Sequence, residues 1–250
     1  MVDTLGWRGK FGVITPSTNT VVQPEYEAVC PPGVTTHIGR MHIPDDPLSS
    51  DEDFDELIRR IDVALEDAVR RVMTCKPDYF VLGISSESIW GGGLEKAQEI
   101  VQRMKPLLNG IEVSQAADAL PAALKAFGVK KKISVVTPYF PVAEPHIRQF
   151  AADIGYDIVK THHMSCKSPT LIAHTAEEEC WDALQMVDSE EVEAIIQFGA
   201  NLPFATVAAE AEKRLKKPII AVNIATIWHA LRSFGIKDRI YGYGRILWEH

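Results

Sequence analysis

Apolar, β-branched runs alternate along this chain with stretches whose apolar positions recur at helical spacing. Six runs predict strands: "KFGVITP" at 10–16, "DYFVLGIS" at 78–85, "KISVVTP" at 132–138, "YDIVKTH" at 156–162, "EAIIQFG" at 193–199 and "PIIAVNI" at 218–224. They are continuous rather than alternating, as expected of parallel strands covered on both faces. Amphipathic stretches at 54–73, 93–105, 177–187 and 205–215 predict helices between them. Such alternation argues for an α/β fold with parallel sheets.

The pattern also repeats. "GVITPSTNTVVQPE", from Gly12, answers "SVVTPYFPVAEPH", from Ser134: strand, Thr-Pro, short loop, then a second proline opening a helix. A second pair of strand endings, "VLGISSES" at 81–88 and "AIIQFGAN" at 194–201, runs into glycine-containing turns of small residues. Pro16 to Gly83 spans 67 positions and Pro138 to Gly199 spans 61, so each half has two strand exits at similar separation. Ligands collect at the carboxyl ends of parallel strands. Two such halves facing each other would place four loops around one cleft. The alternative is two unrelated α/β segments with common strand endings.

Composition narrows the class. The 250 residues are 46% hydrophobic and 24% charged, an ordinary globular balance. A net charge of -8 argues against a nucleic-acid binder, although main-chain amides bind small anions in acidic proteins too. No apolar run is long enough to span a bilayer, and "MVDTLGWRGK" has no signal-peptide core, so a cytoplasmic location is expected. Cys30, Cys75, Cys166 and Cys180 form no C-x-x-C pair and stand at no metal-like His spacing. They read as buried or incidental thiols. Cys166, in the polar "HHMSCKSPT", fits that reading least.

"ITPSTNTVVQPE", "TPY", the two strand-exit turns and the closing "YGYGRILWEH" resemble the maleate isomerase and arylmalonate decarboxylase group of the aspartate/glutamate racemase superfamily. The likeness spans essentially the whole chain, and Pro-Ser-Thr-Asn-Thr after the first strand is its most specific element. The resemblance implies two pseudo-symmetric Rossmann-like domains, each a parallel sheet flanked by helices. Residues 1–115 with a returning 224–250 would form one domain, and 116–223 the other. It further implies an active site in the cleft between them that uses no cofactor and no metal. The partners it implies are a small carboxylate substrate and further copies of the chain, with no nucleic acid or membrane.

The resemblance also carries residues. The asparagine that grips a substrate carboxylate in maleate isomerases corresponds to Asn19, with Ser17 and Thr18 beside it. The substrate-contacting tyrosine after the third strand exit corresponds to Tyr139. Ser85 and Ser86 stand where decarboxylases build a pocket for the two enediolate oxygens with a Thr-Ser pair. The departure lies at the cysteines. Isomerases and racemases of the superfamily carry one at each glycine-turn exit, and decarboxylases keep the second. Here those positions fall at Ile84 and Gly199, within about one residue by strand position. The family's thiol chemistry therefore does not carry over.

Glu87, on the turn of serines, is the candidate replacement. It would act as a general base if low dielectric raises its pKa, or it simply favours a helix start. "GISSE" is not the G-x-S-x-G elbow, so Ser85 and Ser86 suit an oxyanion pocket or a cap better than a nucleophile. Asn201, beside the Gly199 turn, either donates to a substrate oxygen or shapes the turn. Lys167 either pairs with a carboxylate or is a surface lysine. His163 and His174 are proton carriers or solvated histidines, and Trp90 walls the pocket or packs in the core.

The sequence thus points to a cofactor-independent enzyme on a small mono- or dicarboxylate. Lyase, decarboxylase or isomerase chemistry would run through an enediolate or oxyanion intermediate with a non-cysteine acid/base. Two alternatives stand beside it: a hydrolase of an amide, lactam or lactone in which Glu87 activates water, and a non-catalytic small-anion binding protein.

Overall fold

The computed structural model describes residues 2–47, 50–86 and 93–250, and eight strands among them form two four-stranded parallel sheets. The first contains β1 (Gly9–Pro16), β2 (Val34–Met41), β3 (Tyr79–Leu82) and β4 (Val113–Ser114), in the order β2-β1-β3-β4. The second contains β5 (Lys132–Thr137), β6 (Asp157–His163), β7 (Ala194–Gln197) and β8 (Ile219–Ala221), in the order β6-β5-β7-β8. The two orders are the same, shifted by four strands, so the repeat seen in the sequence is a repeat of topology. It extends to single bonds. Gly83 N donates to Ile14 O at 2.8 Å in the first sheet, and Phe198 N donates to Val136 O at 3.0 Å in the second.

All six expected strands are present, and burial explains their composition. Val13, Ile14, Val81, Leu82, Val135, Val136, Ile195 and Ile196 are wholly buried between helices. Two strands escaped the apolar pattern. The edge strand β2 carries half-buried Thr35, Thr36 and His37 in its middle, and β4 has only two residues. The run at 218–224 is strand only to Ala221, because Val222 opens helix α8 (Val222–Ser233). Almost every residue of the first turns of α8 is buried, and an unbroken apolar run does not distinguish a covered strand from a covered helix.

The covering helices are α1 (Val22–Val29), α2 (Asp51–Met73) and α3 (Gly93–Met104), then α4 (Ala116–Ala126), α5 (Glu144–Asp153), α6 (Glu177–Val187), α7 (Ala205–Leu215), α8 and α9 (Ile246–Glu249). The start of α2 is fixed by reciprocal bonds between Ser50 and Asp53, a capping box. Its stripe of Leu57, Ile61 and Leu65, at i, i+4 spacing, then faces inward. Helix α8 leaves the second sheet and packs on α4 and on β3 and β4 of the first sheet. There His229 Nδ1 lies 2.7 Å from Ser114 Oγ, which also meets Tyr79 OH at 3.0 Å. Arg8 grips Asp238 with both guanidinium arms, and Arg232 donates to the carbonyls of Ile236, Asp238, Leu247 and His250. No described helix is long and apolar enough to cross a membrane.

Two carboxyls are enclosed at the joints. Glu212 of α7 is buried and accepts Arg245 N at 2.7 Å and Ile219 N at 3.4 Å. Glu25 of α1 keeps part of its surface exposed, but its carboxyl accepts Asn223 Nδ2 at 2.7 Å and Ala205 N at 3.3 Å. Withdrawal from water pushes both groups up to about 7, against the opposing pull of these donors. A raised folded-state pKa makes their contribution to stability complete below about pH 4.5, and lost as pH rises through about 7. Unfolding free energy from urea titrations should therefore fall between about pH 5 and pH 7.5, by at most about 1.4 kcal/mol per pH unit for each group. Glu212→Gln should remove roughly half of that slope. An unchanged slope would show that Glu212 folds ionised.

Candidate active site

The four strand exits meet. Pro16, Thr18 and Asn19 after β1, Ile84, Ser85 and Ser86 after β3, Tyr139 after β5, and Gly199, Ala200 and Asn201 after β7 line one cavity that opens to solvent. Parallel strands in matched register deliver their ends to one level, and the two sheets present those ends to each other.

Ser85 Oγ is the junction. It accepts a hydrogen bond from Gly199 N at 3.0 Å and lies 3.1 Å from Tyr139 OH, so exits from both sheets converge on one oxygen. Ser85, Ser86 and Tyr139 are all buried while lining the cavity. The turn after β7 needs its glycine. Gly199 has φ +99°, and a Cβ there would lie 2.3 Å from Pro138 Cγ. The position expected to hold a family cysteine therefore has no room for any side chain.

Asn19 divides its amide between fold and cavity. Its Oδ1 accepts Val21 N at 3.0 Å and Val22 N at 2.9 Å at the start of α1. Its Nδ2 has no hydrogen-bond partner among the described residues, and the side chain lines the cavity. The local sequence explains this: the Thr-Pro strand end releases the chain into a short loop, and the asparagine closes the helix behind it.

Three expected binding residues are used differently. Ser17 does not line the cavity; its hydroxyl donates to Ile43 O at 3.1 Å and accepts Ile43 N at 3.0 Å. It thereby fixes Ile43, which does. Asn201 lines the cavity, but its side chain is a strut. Its Oδ1 accepts Thr20 N at 2.9 Å, and its Nδ2 donates to Pro169 O at 2.8 Å and Thr18 O at 3.4 Å. Lys167 is exposed and off the lining, because the chain turns its neighbours Ser168 and Pro169 inward instead. Glu87 and Trp90 lie outside the described residues. His163 pairs with Glu144 at 3.0 Å, away from the cavity, and His174 does not line it either.

The sequence reading missed the apolar wall. Ile43, Leu57, Ile58 and Ile61 line the cavity from the segment after β2 and from α2, and Pro169 and Ile172 from the segment after β6. The stripe on α2 was the available signal, but a core stripe and a pocket wall have the same pattern. The two flanks are joined where Asp45 Oδ1 accepts Thr170 N at 2.9 Å. None of the described lining residues is charged, and none is a cysteine. Burial pushes the thiols of Cys30 and Cys180 up to about 12, and those of Cys75 and Cys166 also upward. Among the described residues no cluster of three His, Cys, Asp or Glu side chains is placed to hold a metal ion.

This architecture has relatives. The chain is 23% identical to maleate isomerase of Alcaligenes faecalis over 252 residues, covering 95% of this chain and 96% of the relative. Maleate isomerase Iso from Pseudomonas putida S16, a cysteine-to-alanine variant with maleate, superposes with a TM-score of 0.84 at 19% identity, covering 95% of this chain and 96% of that one. A cysteine-to-serine mutant of Nocardia farcinica maleate cis-trans isomerase, with a covalently bound succinylcysteine intermediate, has a TM-score of 0.81 at 21% identity, covering 96% and 98%. These structures share the two-sheet fold. The sequence model of the arylmalonate decarboxylase family (Amdase) matches residues 12–247, nearly the full length, and the chain belongs to that family.

Proposed function

We propose that the protein is a cofactor-independent enzyme acting on a small mono- or dicarboxylate through an enediolate-like or oxyanionic intermediate, with an acid/base that is not a cysteine. The observation that carries this reading is the lining itself. Neutral donors from three strand exits meet in a cavity that none of the four cysteines lines.

A substrate carboxylate fits against the Asn19 amide, the Ser86 hydroxyl and the one hydroxyl of the Ser85–Tyr139 pair whose proton is not given to the other. When a bond to the neighbouring carbon breaks, by loss of carbon dioxide or of a proton, its electron pair moves onto the carboxylate oxygens. Each preorganised donor aimed at oxygens that gain charge lowers the barrier by about 3 kcal/mol. Charge-neutral donors suit this task because they engage more strongly as charge builds, which favours the chemical step over mere binding.

The Nocardia relative carries its intermediate on a cysteine. With no thiol on the described lining, isomerase, lyase and decarboxylase chemistry alike would need another group to carry the proton. Protonation of the resulting carbanion, or removal of a proton to form one, is assigned to Glu87, the residue after Ser86 in the chain.

Two outcomes test the reading. Asn19→Asp keeps the oxygen that holds Val21 N and Val22 N but replaces the free donor with an anion. It should leave the urea midpoint nearly unchanged and lower kcat/KM on the responding acid about 100-fold. Full activity in that variant would remove Asn19 from the carboxylate site. In a panel of small acids assayed for carbon dioxide release and cis–trans change, turnover should survive iodoacetamide. Glu87→Gln should lower it about 100-fold or more. Inactivation by iodoacetamide that substrate protects against, with an active Glu87→Gln, would sink the thiol-independent mechanism.

A further inference from the structure

A second cleft opens at the other end of the first sheet. It lies where Tyr79 and Val113 begin β3 and β4, whereas the candidate active site lies past the strand exits. The two share no lining residue. Helix α8 lines the cleft with His229, and the end of α3 and the chain beyond it bring Val101, Lys105, Ile111 and Glu112. Asp118, in the first turn of α4, completes the charged part of the lining.

A hydrogen-bonded chain runs from this lining into the core. His229 Nδ1 lies 2.7 Å from Ser114 Oγ, which lies 3.0 Å from Tyr79 OH. Ser114 and Tyr79 are buried. Only one arrangement lets both hydroxyls donate within the chain: Tyr79 gives its proton to Ser114 Oγ, and Ser114 gives its own to Nδ1. The imidazole hydrogen is then on Nε2. Burial pushes the His229 pKa down from its usual value, against the opposing pull of Asp118, so the ring is neutral at pH 7. The Nε2–H has no hydrogen-bond partner among the described residues. Neither has the Lys105 ammonium nor the Glu112 carboxyl. Asp118 is held by the side chain of Gln115.

We propose that this cleft is a second binding site, for an α-amino acid with an apolar side chain. The ligand carboxylate meets the Lys105 ammonium and the His229 Nε2–H, and its ammonium meets Asp118 and Glu112. Its side chain lies on the half-buried Val101, Ile111 and Val113. Small-molecule sites combine an apolar surface with a few placed polar groups in this way. The pairing of charges selects the class. A simple acid would leave two carboxyls unmatched beside it, and a simple amine would leave Lys105 and the Nε2–H unmatched, whereas a zwitterion meets both. The site is separate from the candidate active site, so the proposal stands or falls independently of the carboxylate reading there.

NMR of the protein labelled at histidine nitrogens tests the proposal, with the His229 signals identified by their loss in His229→Gln. Without ligand, the ring should show the Nε2–H tautomer, and Ser114→Ala should mix the two tautomers. L-Leucine should shift the His229 signals saturably, with Kd on the order of 1 mM. Isovalerate, which lacks the ammonium, and isopentylamine, which lacks the carboxylate, should each bind about tenfold more weakly, as expected when a charge-assisted bond is lost. Lys105→Met, a change on the exposed rim, should weaken leucine by a similar factor, and so should Asp118→Asn. No saturable His229 shift with leucine overturns the site. Isovalerate binding as tightly as leucine overturns the amino-acid assignment, as does unchanged leucine affinity in Lys105→Met. Signals that move with protein concentration instead of leucine would mean that a second copy of the chain covers the cleft, which also overturns the proposal.

Discussion

The hydroxyl oxygen of Ser85 is where the molecule closes. It sits at an exit of the first sheet, accepts the amide of Gly199 and meets the phenol of Tyr139 from the second. These partners lie 114 and 54 positions away along the chain. In a buried, water-poor setting an unmade bond of this kind would cost about 1–3 kcal/mol, so the junction strongly favours a single docking of the halves. The cavity is the space left around it. Moving either sheet relative to the other would pull an exit loop out of the lining.

The same closure separates two surfaces within the cavity. Donors gather at the strand ends, because that is where main chain leaves the sheet and polar groups are free to turn inward. The isoleucines of α2 and the flanking segments supply the apolar part of the lining. On the proposed reading, a carboxylate head meets the donors while the remainder of the substrate meets the apolar wall. The absence of charge among the described lining residues makes the site depend on direction rather than on net attraction. A misdirected dipole would lose most of its effect.

Buried polar side chains brace the main chain around the turn after β7. Gln197 and Asn201 each make more than one hydrogen bond to main chain, and Asn223 joins the carbonyl of Ala200 to the carboxyl of Glu25. Such networks are costly when half satisfied and rigid when complete. Here they also tie α1, α7 and α8 to the turn after β7. Geometry at the site and cohesion of the two halves therefore share the same bonds.

The chain's apolar rhythm determined much of this by itself. Continuous β-branched runs fixed the six main strands, and the repeated Thr-Pro and glycine-turn endings placed Asn19, Ser85, Ser86, Tyr139 and Gly199 at strand exits that do converge. Edge strand β2 was illegible because a strand exposed on one side need not be apolar. The switch to helix at Val222 was illegible because a fully covered helix reads like a covered strand. Ser17, Lys167 and Asn201 stood in the right segments, and only the fold decided which way each side chain turned: onto Ile43, out to solvent, and onto Pro169. The apolar wall needed the tertiary structure as well. Periodicity reports that one face of a helix is hidden, whereas what hides it, a packed sheet or an open cavity, depends on elements far away along the chain.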